Sequence, residues 1–272
     1  MLMENNTQLH LLHQRLLLMM SEIHRICIEN DIKYTLMGGS LIGAIRHKGF
    51  IPWDDDLDVG LEWRYFKKFV DIVFTTKHDW LEFTMAGKTD DFGSVIIRAY
   101  DSRTTLVNNT SDKPHGVCID IIPISYAGNS KLMAKFNFFR HRFYMMLVER
   151  KYHHFKGKNK IKEWVLHKLS ELTDVKWLMN RIFKMQDHLN FKYKKYSSDF
   201  TGNIIGIVPT ECFNSYQLYP FENEQFMSIS NADTYLRYVF GDYMQFPPEK
   251  ERVPKHMEYL NLDLPYREYK KK

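Results

Sequence analysis

Asp54, Asp55, Asp56 and Asp58 crowd four carboxylates into five residues, and such a cluster persists only where solvent or a cation offsets its charge. They close the stretch LMGGSLIGAIRHKGFIPWDDDLDVGLE, residues 36–62. A short apolar strand is expected over residues 34–37, running into Gly38-Gly39-Ser40 and then a helical segment over 41–47. The turn Lys48-Gly49-Phe50-Ile51-Pro52-Trp53 brings the chain back to the acids. Alternate side chains of a strand share a face, so a strand here aims Asp56 and Asp58 the same way, about 6–7 Å apart at Cα. Leu57 and Val59 then take the apolar side. Two converging carboxylates suit a hard divalent ion. Asp54 and Asp55, nearer the turn, read as outer or solvated groups. Gly38 and Gly39 let backbone N–H groups approach an anion, and the helix N-terminus adds its positive end. Arg46, His47 and Lys48 offer charge to phosphates; a solvated loop is the plain alternative.

A second acid stands out in VCIDIIP, residues 117–123, an otherwise apolar strand that Pro123 is expected to close. Asp120 there needs a partner or a metal. Beside the strand of Asp58 it would be a third oxygen donor. Paired with Arg98 or Arg103 it would be a buried ion pair.

The surrounding segments alternate in type. Leu9, Leu12, Leu16, Met19, Ile23, Ile26 and Cys27 predict an amphipathic helix over 7–30. A second helix is expected over 63–79, strands over 81–85 and 94–100, and a loop over 87–93. That succession predicts an α+β fold, a mixed sheet flanked by helices, and the Gly-Gly-Ser turn matches neither a dinucleotide-binding nor a Walker fingerprint. From residue 131 the texture changes to cationic helices over 131–155 and 161–196, broken at Gly157-Lys158-Asn159. Beyond them lie a strand over 203–208, an irregular Tyr/Phe-rich stretch over 211–230, and a short helix over 233–240 that Gly241 stops. The expected organisation is a catalytic core, 1–128, a basic helical region, 129–200, and a C-terminal segment, 201–272, that completes the active site.

Residues 131–198 carry 17 Lys+Arg against 5 Asp+Glu, a local balance of +12 in a chain of net charge +5. Such a segment suits an anionic membrane surface, and equally suits helices that only pack and solvate. No nucleic-acid module accompanies it. Cys27, Cys118 and Cys212 fit neither a zinc pattern nor a disulfide framework. With no signal peptide and no apolar run of membrane-spanning length, a cytoplasmic protein is expected, or one lying at the inner face of the membrane.

The stretch 38–60, GGSLIGAIRHKGFIPWDDDLDVG, resembles the signature of the LicD family of phosphocholine transferases. Residues 117–124, VCIDIIPI, are similar to that family's second acidic strand, and 238–256, YVFGDYMQFPPEKERVPKH, to its C-terminal elements. Gly39-Ser40 stands where many members have Gly-Thr, which keeps the hydroxyl. The resemblance implies a nucleotidyltransferase-like fold, with Mg2+ or Mn2+ as cofactor. It also implies transfer of phosphocholine from CDP-choline to a sugar hydroxyl of a cell-surface glycan, of lipopolysaccharide or teichoic acid type, with a lipid-linked acceptor. CDP-ribitol or another CDP-alcohol is the alternative donor, and an inactive glycan- or membrane-binding protein the alternative class. By the same resemblance, Asp56 and Asp58 would hold the metal and Asp120 would be ligand or general base. Gly38, Gly39, Ser40, Arg46, His47 and Lys48 would hold the donor's phosphates, with Arg252 reaching the site.

Overall fold

The computed structural model describes residues 2–90, 92–108, 113–152, 160–201, 206–255 and 257–270. Seven helices lie among them: α1 (Leu2–Glu29), α2 (Gly38–Arg46), α3 (Trp63–Val73), α4 (Lys131–Tyr152), α5 (Lys160–Glu171), α6 (Val175–Lys192) and α7 (Ala232–Phe240). The strands are β1 (Thr35–Leu36), β2 (Asp58–Glu62), β3 (Leu81–Thr84), β4 (Ile97–Asp101), β5 (Thr105–Asn108), β6 (Cys118–Gly128), β7 (Tyr196–Ser198), β8 (Val208–Pro209), β9 (Tyr216–Phe221), β10 (Glu224–Ile229) and β11 (Met257–Asn261).

The central sheet runs β1-β2-β6-β4-β3, and β7 and β8 extend it from β6. Only β2 and β6 pair in parallel; the other pairs are antiparallel. This is a mixed sheet flanked by helices, the α+β class expected. The stripe predicted for the first helix is fully used: Leu9, Leu12, Leu16, Met19, Ile23, Ile26 and Cys27 are all buried, and α1 packs on β6 and β10. Burying side chains of this size yields about 1.5–3 kcal/mol each, before entropy is charged against it. Asp101, fully buried on β4, receives Arg15 of α1 and Arg103, which ties the helix to the sheet.

Several elements differ from the sequence reading. Pro123 does not close β6, which continues to Gly128. Asp120 directs its N–H to Leu57 of the β2 side, so Pro123, an odd number of residues on, turns its missing donor to the other edge. There β4 has stopped at Ile121 and β7 begins only at Ser125, so no ladder bond is lost. The pattern over 161–196 is two helices, because Asp174 caps α6 by accepting from the Trp177 N–H. The stretch 211–230 is not irregular: most of it is the β9–β10 hairpin. β5 and β11, far apart in sequence, form a two-stranded sheet that the local pattern does not announce. Gly157-Lys158-Asn159 and the first three residues of the strand expected over 203–208 lie outside the described residues, and of the remaining three only Val208 is in a strand, β8.

The basic helices pack directly on the sheet. Trp63 of α3 donates to Asp187 of α6 at 2.8 Å, and Lys67 reaches the same carboxylate. A second small core gathers Ala127, Ala134, Phe138, Met185, Leu189 and Phe200. His141 lies against Phe200 with 0% exposure, and neither ring nitrogen has a partner among the described residues. Burial pulls its pKa down from 6.5 to about 3, with Arg142 adding to the effect. The folded state therefore binds fewer protons than the unfolded chain, and stability is lost as pH falls below about 6.5. Between that pH and about 5, the wild type should lose ~2 kcal/mol more than His141→Leu, measured by urea denaturation at both pH values.

Candidate active site

Strand register assembles the site. Asp58 of β2 stands opposite Asp120 of β6, and Asp120 stands opposite Arg98 of β4. In-register neighbours share a face, so Asp58, Asp120 and Arg98 form one polar row across three strands. The other face of the same strands carries Val59, Ile119, Ile121 and Ala99, all fully buried. Arg98 donates through Nε to Asp120 Oδ1 at 2.5 Å and through Nη2 to Oδ2 at 2.7 Å, a two-pronged ion pair. The ion-pair reading of Asp120 therefore describes its contact, and its position beside Asp58 describes its neighbourhood. Burial opposes the Arg98 charge, but contact with Asp120 keeps its pKa well above the ordinary value. Cys118, two residues before Asp120 and so on its face, has its thiol pushed up to about 12 by burial.

β2 begins at Asp58, so Asp56 sits in the coil before the strand. The alternation used to pair it with Asp58 does not apply there. It reaches the same place nonetheless: Asp56 is the foremost charged neighbour raising both Asp54 and Asp58. Desolvation, then Asp56, Asp120 and Asp54, hold the Asp58 carboxyl well above the carboxylate range. Burial, then Asp56 and Asp55, push Asp54 up to about 7, and Lys255 opposes them. Asp54 is thus a member of the cluster and not a solvated group. Asp55 is not solvated either: it is 6% exposed, and its Oδ2 accepts the Met257 N–H at 2.8 Å, which fastens the start of β11 to the acidic run.

The cluster meets the N-terminus of α2. The helix opens at Gly38, so Gly38-Gly39-Ser40 is its first turn and not a lead-in. A Cβ at position 39 would lie 2.2 Å from Asp54 Oδ2, so glycine is what lets this carboxylate approach the helix end. The Ser40 hydroxyl accepts the Asp58 N–H at 2.9 Å and joins α2 to the head of β2. Helix α2 also leans on the following turn. A Cβ at Gly43 would meet the Gly49 carbonyl oxygen at 2.4 Å, a backbone atom with no rotamer to yield. Gly43→Ala should therefore cost about 1–3 kcal/mol in chemical denaturation, with a matching loss of the ordered turn.

That turn is clamped from a distant segment. Glu222, at the tip of the β9–β10 hairpin, accepts the Phe50 N–H and donates its own N–H to the Lys48 carbonyl. His13 of α1 stacks on Phe50 at 4.2 Å and donates Nε2–H to the Asp54 carbonyl at 2.6 Å. Burial lowers the His13 pKa, which favours the neutral ring that this bond uses.

A cationic and aromatic group flanks the acids. Arg46, at the end of α2, donates to the carbonyls of Tyr243 and Gln245, and Arg252 donates to that of Pro247. Both guanidinium groups lie over Phe246, at 4.5 and 5.3 Å, and Arg252 also lies 5.6 Å from Trp53. Among the described residues neither has a carboxylate partner. Burial and the neighbouring Arg252 lower the Arg46 pKa. His47 accepts from Arg46 Nε at 2.9 Å and sets its ring edge to Trp53 and Phe246. Trp53, next to Asp54 in sequence, joins this group to the acids. A cavity of about 670 Å³, bounded by Pro52, Trp53, Arg252 and Met257, opens beside it. A smaller one of about 170 Å³ lies against Asp56, Asp58 and Asp120.

The structure thus brings Asp56, Asp58, Asp120, Gly38, Gly39 and Ser40 to one place and Arg46, His47 and Arg252 to an adjoining one. Lys48 belongs to the clamped turn and takes a positive φ of 57°. The sequence reading missed Phe246, His13, Glu222 and Lys255. Arg98 carried the same signal as Asp120, a charge inside an apolar strand.

Among the described residues no three His, Cys, Asp or Glu side chains already stand in a metal-binding arrangement. The donor set fits a cation all the same. Four neighbouring carboxylates face one guanidinium and the Lys255 ammonium, two of the four have raised pKa values, and all offer the hard oxygen atoms that Mg2+ or Mn2+ prefers.

A family model described as LicD/FKTN/FKRP, nucleotidyltransferase domain, matches residues 31–159. The chain is similar to the lipopolysaccharide cholinephosphotransferase LicD of Haemophilus influenzae, 29% identical over 251 residues that cover 86% of this chain and 91% of that one. It is 57% identical over 30 residues to the ribitol 5-phosphate transferase FKRP of Homo sapiens, 11% of this chain and 6% of that one. An uncharacterized protein of Rickettsia prowazekii is 49% identical over 43 residues, 16% of each chain.

Proposed function

Because the chain belongs to the LicD family, we propose that it is a phosphotransferase that moves phosphocholine from CDP-choline to a sugar hydroxyl of a cell-surface glycan. The observation that carries this reading is the Asp58–Asp120–Arg98 row set beside the glycine-opened N-terminus of α2. Arg46 and Arg252, held by backbone carbonyls, are assigned to the donor's phosphates, with His47 and Lys48 in the adjoining turn. Gly38 and Gly39 open the helix end to the acid cluster, with the Asp54 carboxylate against Gly39, and Ser40 fixes Asp58 relative to it; the same two glycines are assigned to the donor's phosphate side. Arg98 grips both Asp120 oxygens and so sets the orientation of that carboxylate. The proton of the acceptor hydroxyl passes to a carboxylate of the cluster as oxygen attacks phosphorus and CMP leaves. Mg2+ or Mn2+, held by Asp56, Asp58 and Asp120, would supply neutralisation of the charge on the donor diphosphate. The acceptor is proposed to be lipid-linked and of lipopolysaccharide or teichoic acid type, met by a cytoplasmic protein at the inner face of the membrane.

The match to a ribitol 5-phosphate transferase favours a second donor, CDP-ribitol, on the same site. Two measurements separate the readings. Purified protein with Mg2+, CDP-choline and a glycan acceptor is expected to release CMP. A thermal-shift series over CDP-alcohols should then show the largest stabilisation with CDP-choline, about 2.7 kcal/mol at a hundred-fold excess over Kd. A larger shift and faster CMP release with CDP-ribitol would assign the donor to that alcohol. No CMP release and no metal-dependent shift with either would remove the reading.

A further inference from the structure

Helix α4 has two apolar faces, and the fold uses only one. Ala134, Phe138, His141, Met145 and Val148 point into the protein and are buried. On the opposite side Leu132, Phe136, Phe139 and Phe143 are 80, 61, 62 and 40% exposed. Their steps of four, three and four residues place them in a single stripe about 16 Å long. Large side chains left in water in so regular a line mark a surface built for contact. Trp164 of α5, which packs against α4, and Leu172, just past the end of α5, are exposed as well.

Charge decides the occupant. From Lys131 to Val148 the chain contains Lys131, Lys135, Arg140 and Arg142 and no acid, and of these Arg142 pairs with Glu149 of the same helix at 3.4 Å. Arg140 lies 6.0 Å from the Phe136 ring, on the margin of the stripe. A second copy of this chain would bring identical cations face to face across the stripe. An anionic bilayer meets both features at once, since its headgroups pair with the margins and its acyl boundary takes the aromatic line. No helix among the described residues is long and apolar enough to cross a membrane, so the contact is one of lying on the surface. We propose that the outer face of α4 docks this protein onto an anionic lipid bilayer through Leu132, Phe136, Phe139 and Phe143, flanked by Lys131, Lys135 and Arg140. The face acts in the same way whichever phospho-alcohol the site transfers.

Co-sedimentation of the full-length protein with vesicles tests this. The wild type should pellet with phosphatidylcholine vesicles that contain phosphatidylglycerol, not with phosphatidylcholine alone, and the binding should weaken with salt. Phe136→Ser combined with Phe139→Ser should lower the apparent affinity about ten-fold or more. Lys131→Gln combined with Lys135→Gln should lower it about five-fold for each cation removed. All four side chains are exposed, so both variants should melt like the wild type and keep CMP release in detergent-free solution with a soluble acceptor. That second readout separates failure of the docking face from failure of the proposed chemistry. Absence of wild-type binding to anionic vesicles overturns the proposal, as does binding that neither variant changes. So does a concentration-dependent dimer that the phenylalanine variant abolishes without any effect of vesicles.

Discussion

Asp58→Asn is expected to lower CMP release by at least ~100-fold while raising the melting temperature of the metal-free protein. Asp58 is desolvated and faces Asp56, Asp120 and Asp54, with Arg98 the cation that opposes them. Asparagine keeps the shape, removes one charge from this crowd and can donate a hydrogen bond to a neighbouring carboxylate. Removal of like-charge repulsion at a functional site commonly yields about 1 kcal/mol, which is ~2–4 °C for a chain of this size. Added Mg2+ should raise the wild-type melting temperature and leave that of the variant nearly unchanged. Differential scanning fluorimetry with and without metal, beside the CMP assay, reads all three effects. Full activity in the variant would take Asp58 out of the chemistry. A lower melting temperature would mean that the cluster is already neutralised in the folded protein.

Arg98→Met should be the most destabilising change in the site. Arg98 and Asp120 are each about three-quarters buried, at 24 and 22% exposure, and they satisfy each other through two bonds. Methionine leaves Asp120 in place with no guanidinium, opposite the equally desolvated Asp58. Breaking a buried pair from one side costs about 3–5 kcal/mol, because the remaining charge stays behind unpaired. Adding Asp120→Asn to Arg98→Met should recover much of that loss, since no charge is then stranded. Urea denaturation of the two single variants and the double variant gives the coupling directly. A loss below about 1 kcal/mol for Arg98→Met would show that the pair does not hold the row together.

Much of the catalytic half was legible because its signals are local. The apolar stripe of α1 follows from helical periodicity alone, and all of its members are buried. The acid run and Asp120 were visible as charges in apolar surroundings, which are costly unless something answers them. Strand parity, in contrast, misplaced Asp56, since the strand begins only at Asp58. Pro123 misled for a related reason. A missing donor ends a strand only where a partner waits for it, and whether one stands opposite Pro123 depends on β4 and β7, whose pairing with β6 stops at Ile121 and resumes at Ser125. The β9–β10 hairpin was overlooked because Leu218 and other residues of its outer side stay exposed, so no clean apolar alternation marks it.

By itself, then, the sequence determined which segments are amphipathic, where the clustered carboxylates lie, that Asp120 needs a counter-charge, and that the positive charge sits in residues 131–198. Only the tertiary structure decided that the counter-charge is Arg98 and that Asp58 stands beside Asp120. It also decided that Arg46 shares an aromatic ring with Arg252, and that Glu222 clamps the turn at Phe50. The division has a physical cause. Periodicity and the cost of burying charge are properties of each segment, felt before any partner arrives. Register between strands some sixty residues apart, and docking between ends of the chain some two hundred apart, are fixed only when competing burials are settled together over the whole core.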